Sequence, residues 1–297
     1  MNRVILTDAG SIGGIPYVRL GNTGNFSVFK TFDCGQCFRF DPTDGDRGAY
    51  QVSGVAFGRH VTFREDGEGV TIIGSDEADY NNIWERYLSL DTDYDEIDRA
   101  VTTALDEDGC AVMRRAAEVS AGIRILRQEP WEALCSFIIS QNNNIPRIKK
   151  IIFSLSENFG EKTADGRGYS FPTAKALADA GEEAIFALKT GFRAKYIVDA
   201  ARRVADGELD LDAVVKLDSY DEAETELMKI KGVGPKVAAC ALLFGFGKTE
   251  AYPVDTWMKK VAARHFASGP DPKLFGKYAG VAQQYLFYME RYINGGK

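Results

Sequence analysis

The chain has 297 residues, 45% of them hydrophobic, and a formal net charge of -7. That length supports one large or two ordinary globular domains, and no run of about eighteen apolar residues is present to suggest a membrane span. The opening MNRVILTDAG lacks a basic stretch followed by an apolar one, and the five cysteines (Cys34, Cys37, Cys110, Cys135, Cys240) are odd in number and scattered. The expectation is therefore an intracellular protein with reduced thiols, not an exported disulfide scaffold.

Taken alone, a net negative charge argues against a nucleic-acid partner, because phosphate binding needs Lys and Arg to displace counterions. The distribution reverses that impression. Residues 65–108 carry fifteen Asp or Glu against Arg86 and Arg99, whereas residues 231–264 carry six basic residues against Glu250 and Asp255. The acidic run reads as a solvated surface, and the second stretch can form one cationic face.

From Tyr17 to about Gly74 the chain is rich in Val, Phe, Thr and Tyr, and segments such as YQVSGVAF and GVTIIG are β-prone between Gly-containing turns. An antiparallel sheet is expected there. From about Glu77 onward apolar residues recur at three and four, as in Trp131, Leu134, Cys135, Ile138 and Ile139, which predicts helices. The fold class is α+β, with an antiparallel sheet domain over 1–88 and a mostly helical domain over 89–297.

Within the helical part, MKIKGVGPKVAACALLFGFG reads as helix, hairpin (Gly232-Val233-Gly234-Pro235) and second helix starting near Lys236, the unit spanning about 222–265. Without Cβ atoms, Gly232 and Gly234 can take positive φ and let a phosphate approach the backbone N–H groups at the positive end of the second helix. By itself a G-x-G is more often a plain turn. Lys236 changes the balance: in the first turn of a helix beside an apolar pocket, a charged amine is disfavoured and a nucleophilic one favoured. Cys240, four residues on, shares its face. Nineteen residues after Lys236, Asp255 in YPVDT precedes a helix and can cap it, which leaves a catalytic role open.

The stretch GVGPKVAACALLFGFGKTEAYPVDTWMKK resembles the helix-hairpin-helix of the HhH-GPD DNA glycosylase superfamily, and specifically its 8-oxoguanine DNA glycosylases. The likeness also covers TFDCGQCFRF at 31–40, RILRQEPWEALCSFIISQNNNIPRIKKI at 124–151, TGFRAKYI at 190–197 and YAGVAQQYLF at 278–287. It implies a bifunctional N-glycosylase and abasic-site lyase acting on duplex DNA. Lys236 would form a Schiff base with the sugar, and Asp255 would be its carboxylate partner.

The resemblance further implies that Cys240 and Phe287 sandwich the flipped base, that the Gly35 carbonyl accepts the N7–H of 8-oxoguanine, and that Gln283 reads the Watson–Crick edge. Gln283 and Phe287, four apart, can address one pocket from a helix. Asn142 would fill the vacated stack and Arg147 and Arg193 would hold the unpaired cytosine. Phe192, Trp257 and the hairpin residues Gly232, Val233 and Gly234 would complete the DNA-contacting set.

Three positions depart from the family pattern: Lys231 where Pro is usual, Phe192 where many relatives have Tyr, and Trp257 where many have His. No cofactor and no metal are expected, since no cysteine follows Cys240 to build an iron-sulfur cluster. Cys34 and Cys37, if on a strand, would point to opposite faces. The expected partner is double-stranded DNA with 8-oxoguanine opposite cytosine, bound by a monomer. Alternatives are a glycosylase for another damaged base, which the hairpin lysine disfavours, and a non-catalytic DNA-binding module.

Overall fold

The computed structural model describes residues 4–43, 49–266 and 269–294. Six strands, β1 (Ile5–Ile12), β2 (Ile15–Gly21), β3 (Phe40–Pro42), β4 (Tyr50–Ala56), β5 (Arg59–Asp66) and β6 (Gly69–Ile73), form one antiparallel sheet in the order β1-β2-β6-β5-β4-β3. Alternation sets its faces: Val18, Leu20, Val61, Phe63, Val70 and Ile72 are buried. They pack on Trp84, Tyr87 and Leu88 and on the short helix Val28–Phe32, with Phe32 stacked on Phe63 at 5.1 Å.

The sheet begins earlier than the sequence suggested. β1 is an almost wholly exposed edge strand, so it has no buried alternation to betray it. It is folded back on β2 by Gly13 and Gly14, both at positive φ (59° and 82°), a tight turn that side chains with Cβ resist.

The second core is helical. Its centre is three helices buried on nearly every face: Pro130–Ser140, the hairpin helix Pro235–Gly245, and Ala279–Tyr288. Small residues let them approach. A Cβ on Gly245 would lie 2.5 Å from the Ala133 Cβ, and one on Gly280 would lie 2.3 Å from Leu243. Among the described residues no helix is long and apolar enough to cross a membrane.

One loop, 33–39, ties the two cores together. Cys34 and Phe38 belong to the helical core, Cys37 and Phe40 to the sheet core. Between them Gln36 is fully buried, donating from Nε2 to the Thr31 and Arg124 carbonyls and accepting from Leu126 N at Oε1. This loop brings Gly35 to the cleft described next.

Candidate active site

A cleft of about 960 Å³ opens between the helical core and loop 33–39. Lys236 enters it from the first turn of Pro235–Gly245, where Pro235 occupies the first helical position and Gly234 the N-cap. Of the two hairpin glycines, one uses its left-handed freedom. Gly232 has φ 80°, and a Cβ there would strike the Tyr196 ring at 2.6 Å, but Gly234 has φ -106° and ψ -179°, extended backbone open to any residue. The turn needs one left-handed residue, not two, because the N-cap preceding the helix is itself extended. No atom lies within 4 Å of where a Gly234 Cβ would stand, so its bareness leaves open space over the hairpin.

The floor beneath Lys236 is aromatic. Its Nζ lies 5.8 Å from the Phe137 ring centroid, and Phe137 stacks on Phe244 at 5.4 Å. Cys240 is buried one turn on. Burial pushes its thiol up; Lys236, which hydrogen-bonds it, acts against the rise, and the charge of Asp255 adds to it. The three groups are therefore electrostatic neighbours. Asp255 caps the helix Thr256–His265, its Oδ1 accepting from Trp257 N and Met258 N at 2.9 Å. No hydrogen bond to its Oδ2 is made among the described residues, so the cap leaves one carboxylate oxygen for other work.

Opposite the lysine, Ala279–Tyr288 presents Gln283 and Phe287 to the same cleft. Gln283 is 4% exposed, and its buried Oε1 has no hydrogen-bond partner among the described residues. An unsatisfied buried acceptor costs about 1–3 kcal/mol, so its place in a cleft points to a donor supplied by a ligand. Gly35 sits across from it with φ 78°, its Cα side facing Phe287. Gln284 fixes this loop by donating to the Cys34 carbonyl at 3.0 Å.

Four lining or supporting residues were not singled out in the sequence: Phe137, Gln36, Gln284 and Arg291. Arg291 continues the spacing of Gln283 and Phe287 by a further four residues, a signal that was available. The two buried glutamines carried no local pattern that separates them from surface residues.

The rim of the cleft includes Asn142, Phe192 and Trp257. The three-Asn run divides its labour. Asn144 caps the helix Ile145–Phe159 by accepting from Arg147 N, and Asn143 donates to the Ile139 carbonyl, whereas Asn142 is exposed at φ 48°. Phe192 is 47% exposed. Arg147 and Arg193 lie outside the cleft lining, as do Gly232 and Val233. Arg147 is exposed and donates to the Lys189 carbonyl. Arg193 is buried, its guanidinium over Phe192 at 4.4 Å and donating to the carbonyls of Gln141, Asn142 and Thr190. Burial and the charge of Arg147 both lower its proton affinity.

Two family models match consecutive parts of the chain: "8-oxoguanine DNA glycosylase, N-terminal domain" over residues 20–134, and "HhH-GPD superfamily base excision DNA repair protein" over 135–277. A solved structure of the Clostridium acetobutylicum 8-oxoguanine glycosylase/lyase, in complex with duplex DNA containing cytosine opposite 8-oxoG, is 37% identical with a TM-score of 0.86, covering 99% of this chain and 100% of that one. The chain belongs to the 8-oxoguanine DNA glycosylase family. Among curated relatives, an N-glycosylase/DNA lyase of Saccharomyces cerevisiae is 42% identical over 49% of this chain and 42% of its own length. One from Arabidopsis thaliana is 36% identical over 57% and 52%. The chain thus spans about half the length of the curated relatives it matches.

Within this family the three departures acquire local reasons or consequences. Lys231 N donates to Asp199 Oδ2 at 2.8 Å, a bond proline could not make. Trp257 offers its ring to Lys260, whose Nζ lies 3.9 Å from the centroid. Phe192 keeps an exposed ring but no hydroxyl. Cys34 and Cys37 correct another expectation: they lie on the bends of loop 33–39, not on a strand, and each is buried in a different core. Burial pushes the Cys34 thiol up to about 12 and that of Cys37 higher, which favours the protonated forms.

Proposed function

We propose that this protein excises 8-oxoguanine from double-stranded DNA, opposite cytosine, through a Lys236 Schiff base and then cleaves the strand by β-elimination. The observation that carries this reading is the buried, unpartnered Gln283 Oε1 in the same cleft as Lys236 and Asp255. A flipped guanine-type base brings N–H donors to that oxygen. The duplex in the complex of the Clostridium relative, with cytosine opposite 8-oxoG, supports the choice of lesion and partner base.

The damaged nucleotide leaves the stack at a cost of a few kcal/mol, offset by the Phe287 and Cys240 walls and the Gln283 and Gly35 hydrogen bonds. Lys236, as the free amine, attacks C1′; the C1′–N9 pair departs with the base, which then takes up a proton. Asp255, through Oδ2, stabilises positive charge growing on the sugar. Loss of an amine proton and ring opening give an imine, whose C2′ proton is acidic enough for elimination of the 3′ phosphate. The Gly35 carbonyl favours the lesion because guanine has a lone pair at N7 where 8-oxoguanine has N–H. Asn142 and Phe192 fill the gap, Arg147 and Arg193 hold the cytosine, and Gly232, Val233, Gly234 and Trp257 meet the backbone. Such an enzyme works in the compartment that holds the DNA.

The test is incubation with duplexes carrying one defined lesion, scoring free base and nicked strand separately. Release of 8-oxoguanine with borohydride-trappable protein is the expected result. Tight lesion binding without release would favour a non-catalytic helix-hairpin-helix module, and release of alkylated bases alone would favour a different glycosylase.

A further inference from the structure

Arg291 lines the cleft from the short π-helix Met289–Asn294, four residues beyond Phe287. Its guanidinium is held over two rings, 5.6 Å from Phe287 and 5.1 Å from Tyr292, and makes no ion pair among the described residues. It also reaches the lesion-facing loop: Nη1 lies 3.3 Å from where a Gly35 Cβ would stand. The backbone bearing it is anchored, because the adjacent Glu290 is buried, ion-paired with Arg264 at 2.6 Å and hydrogen-bonded to His265 Nε2 at 3.1 Å. A half-buried cation with no carboxylate partner among the described residues, fixed beside a base pocket, is placed for an acceptor that arrives with the substrate.

We propose that Arg291 is a further substrate-contacting residue, donating to O8 of the flipped 8-oxoguanine. This rests on the excision reading above. Gln283, Phe287 and Arg291 follow one another along one side of the chain at steps of four. With the Watson–Crick edge at Gln283 and the ring system on Phe287, the opposite end of the purine, the five-membered ring bearing O8, lies toward Arg291. Gly35, which would accept from N7–H, borders Arg291 on that side. As C1′–N9 breaks, its bonding pair moves onto the base and part of the charge reaches O8. A guanidinium there binds the departing base more strongly than the intact nucleotide. Guanine has no O8, so the contact also separates lesion from normal base.

The test compares Arg291→Met and Arg291→Lys with the unaltered protein in single-turnover assays on two duplexes, one with 8-oxoguanine and one with a preformed abasic site that places no base in the pocket. Arg291→Met is expected to slow base release about 10-fold and abasic-site cleavage less than about twofold, with Arg291→Lys recovering most of the release rate. Equal slowing of both reactions, or weaker binding to undamaged DNA with a shallower salt dependence, would make Arg291 a structural or phosphate-contacting residue and overturn the proposal. Unchanged release by Arg291→Met would overturn it as well. If the unaltered protein released no 8-oxoguanine, the excision reading would fail, and the contact with it.

Discussion

The base pocket and the rim that surrounds it are built on opposite principles. Gln283, Phe287, Cys240 and Phe137 project from helices buried on nearly every face, and Gly35 is held by Gln36 and Gln284, both buried and hydrogen-bonded. The rim carries the exposed Asn142 and Phe192, with Asn142 in a left-handed conformation that β-carbon residues adopt at a cost, at φ 48°. On the proposed reading, recognition of the damaged base falls to this packed and hydrogen-bonded frame. Displacement of that base from the helix would then fall to the rim residues, placed where contact with solvent or DNA can alternate. Chemistry, frame and rim can therefore be broken separately.

The largest break should come at Lys236. Lys236→Gln keeps length and polarity but has no nucleophilic amine, so borohydride trapping and base release should both be abolished while lesion binding persists. Normal release by this variant would make water the nucleophile. Asp255→Asn retains an oxygen able to accept from Trp257 N and Met258 N, so the helix cap and the fold should survive. Excision should fall by roughly 100-fold or more, the scale of one deleted electrostatic group. An equal loss of thermal stability would instead assign Asp255 to the cap alone.

The frame has its own sensitivity, to pH. Glu132, on the helix that carries Phe137, is buried, and burial pushes its carboxyl up from 4.5 to about 7, with Arg39 3.7 Å away working against the rise and Glu129 adding to it. The folded chain binds this proton more tightly than the unfolded one. Its contribution to stability is therefore full below about 4.5, declines as pH rises through 7, and is flat above. The change is on the order of 3 kcal/mol. Glu132→Gln should match the unaltered protein near pH 5 in urea unfolding and exceed it at pH 8; parallel curves would show that other groups carry the dependence.

Much of this was legible in the sequence because several signals converged on one region. The Gly-Pro hairpin, Lys236 and the Asp255 cap are local, and the step of four from Gln283 to Phe287 states a shared face. What escaped was set by tertiary structure. β1 has no buried face to produce alternation, and Gly234 is extended although a glycine permits a left-handed turn. Gln36 and Gln284 matter only because the fold buries them against particular carbonyls, which polarity in a string of letters cannot show. The strand expected at Cys34 and Cys37 failed for a related reason. A loop that feeds two cores alternates between them without being a strand.

The smallest expected effect concerns the two arginines that the sequence placed in one role. Their settings differ. Arg147 is exposed and its side chain is held, among the described residues, by a single hydrogen bond to the Lys189 carbonyl, so it can turn toward an unpaired cytosine at little cost. Arg193 is buried and holds three carbonyls of the 141–142 and 190 segments, which positions Asn142 and Phe192. Arg147→Ala should therefore relax the preference for cytosine opposite the lesion by about 1 to 2 kcal/mol, roughly 10-fold in the ratio of excision rates, with stability unchanged. Arg193→Ala should act on the rim as a whole, lowering the melting temperature and slowing excision opposite all four bases alike, because the carbonyls it satisfies would lose their donors. Excision rates on four duplexes that differ only in the opposite base measure both. A selective loss of cytosine preference in Arg193→Ala, with the fold intact, would show that the buried guanidinium reads the base directly and that the rim is as preformed as the pocket.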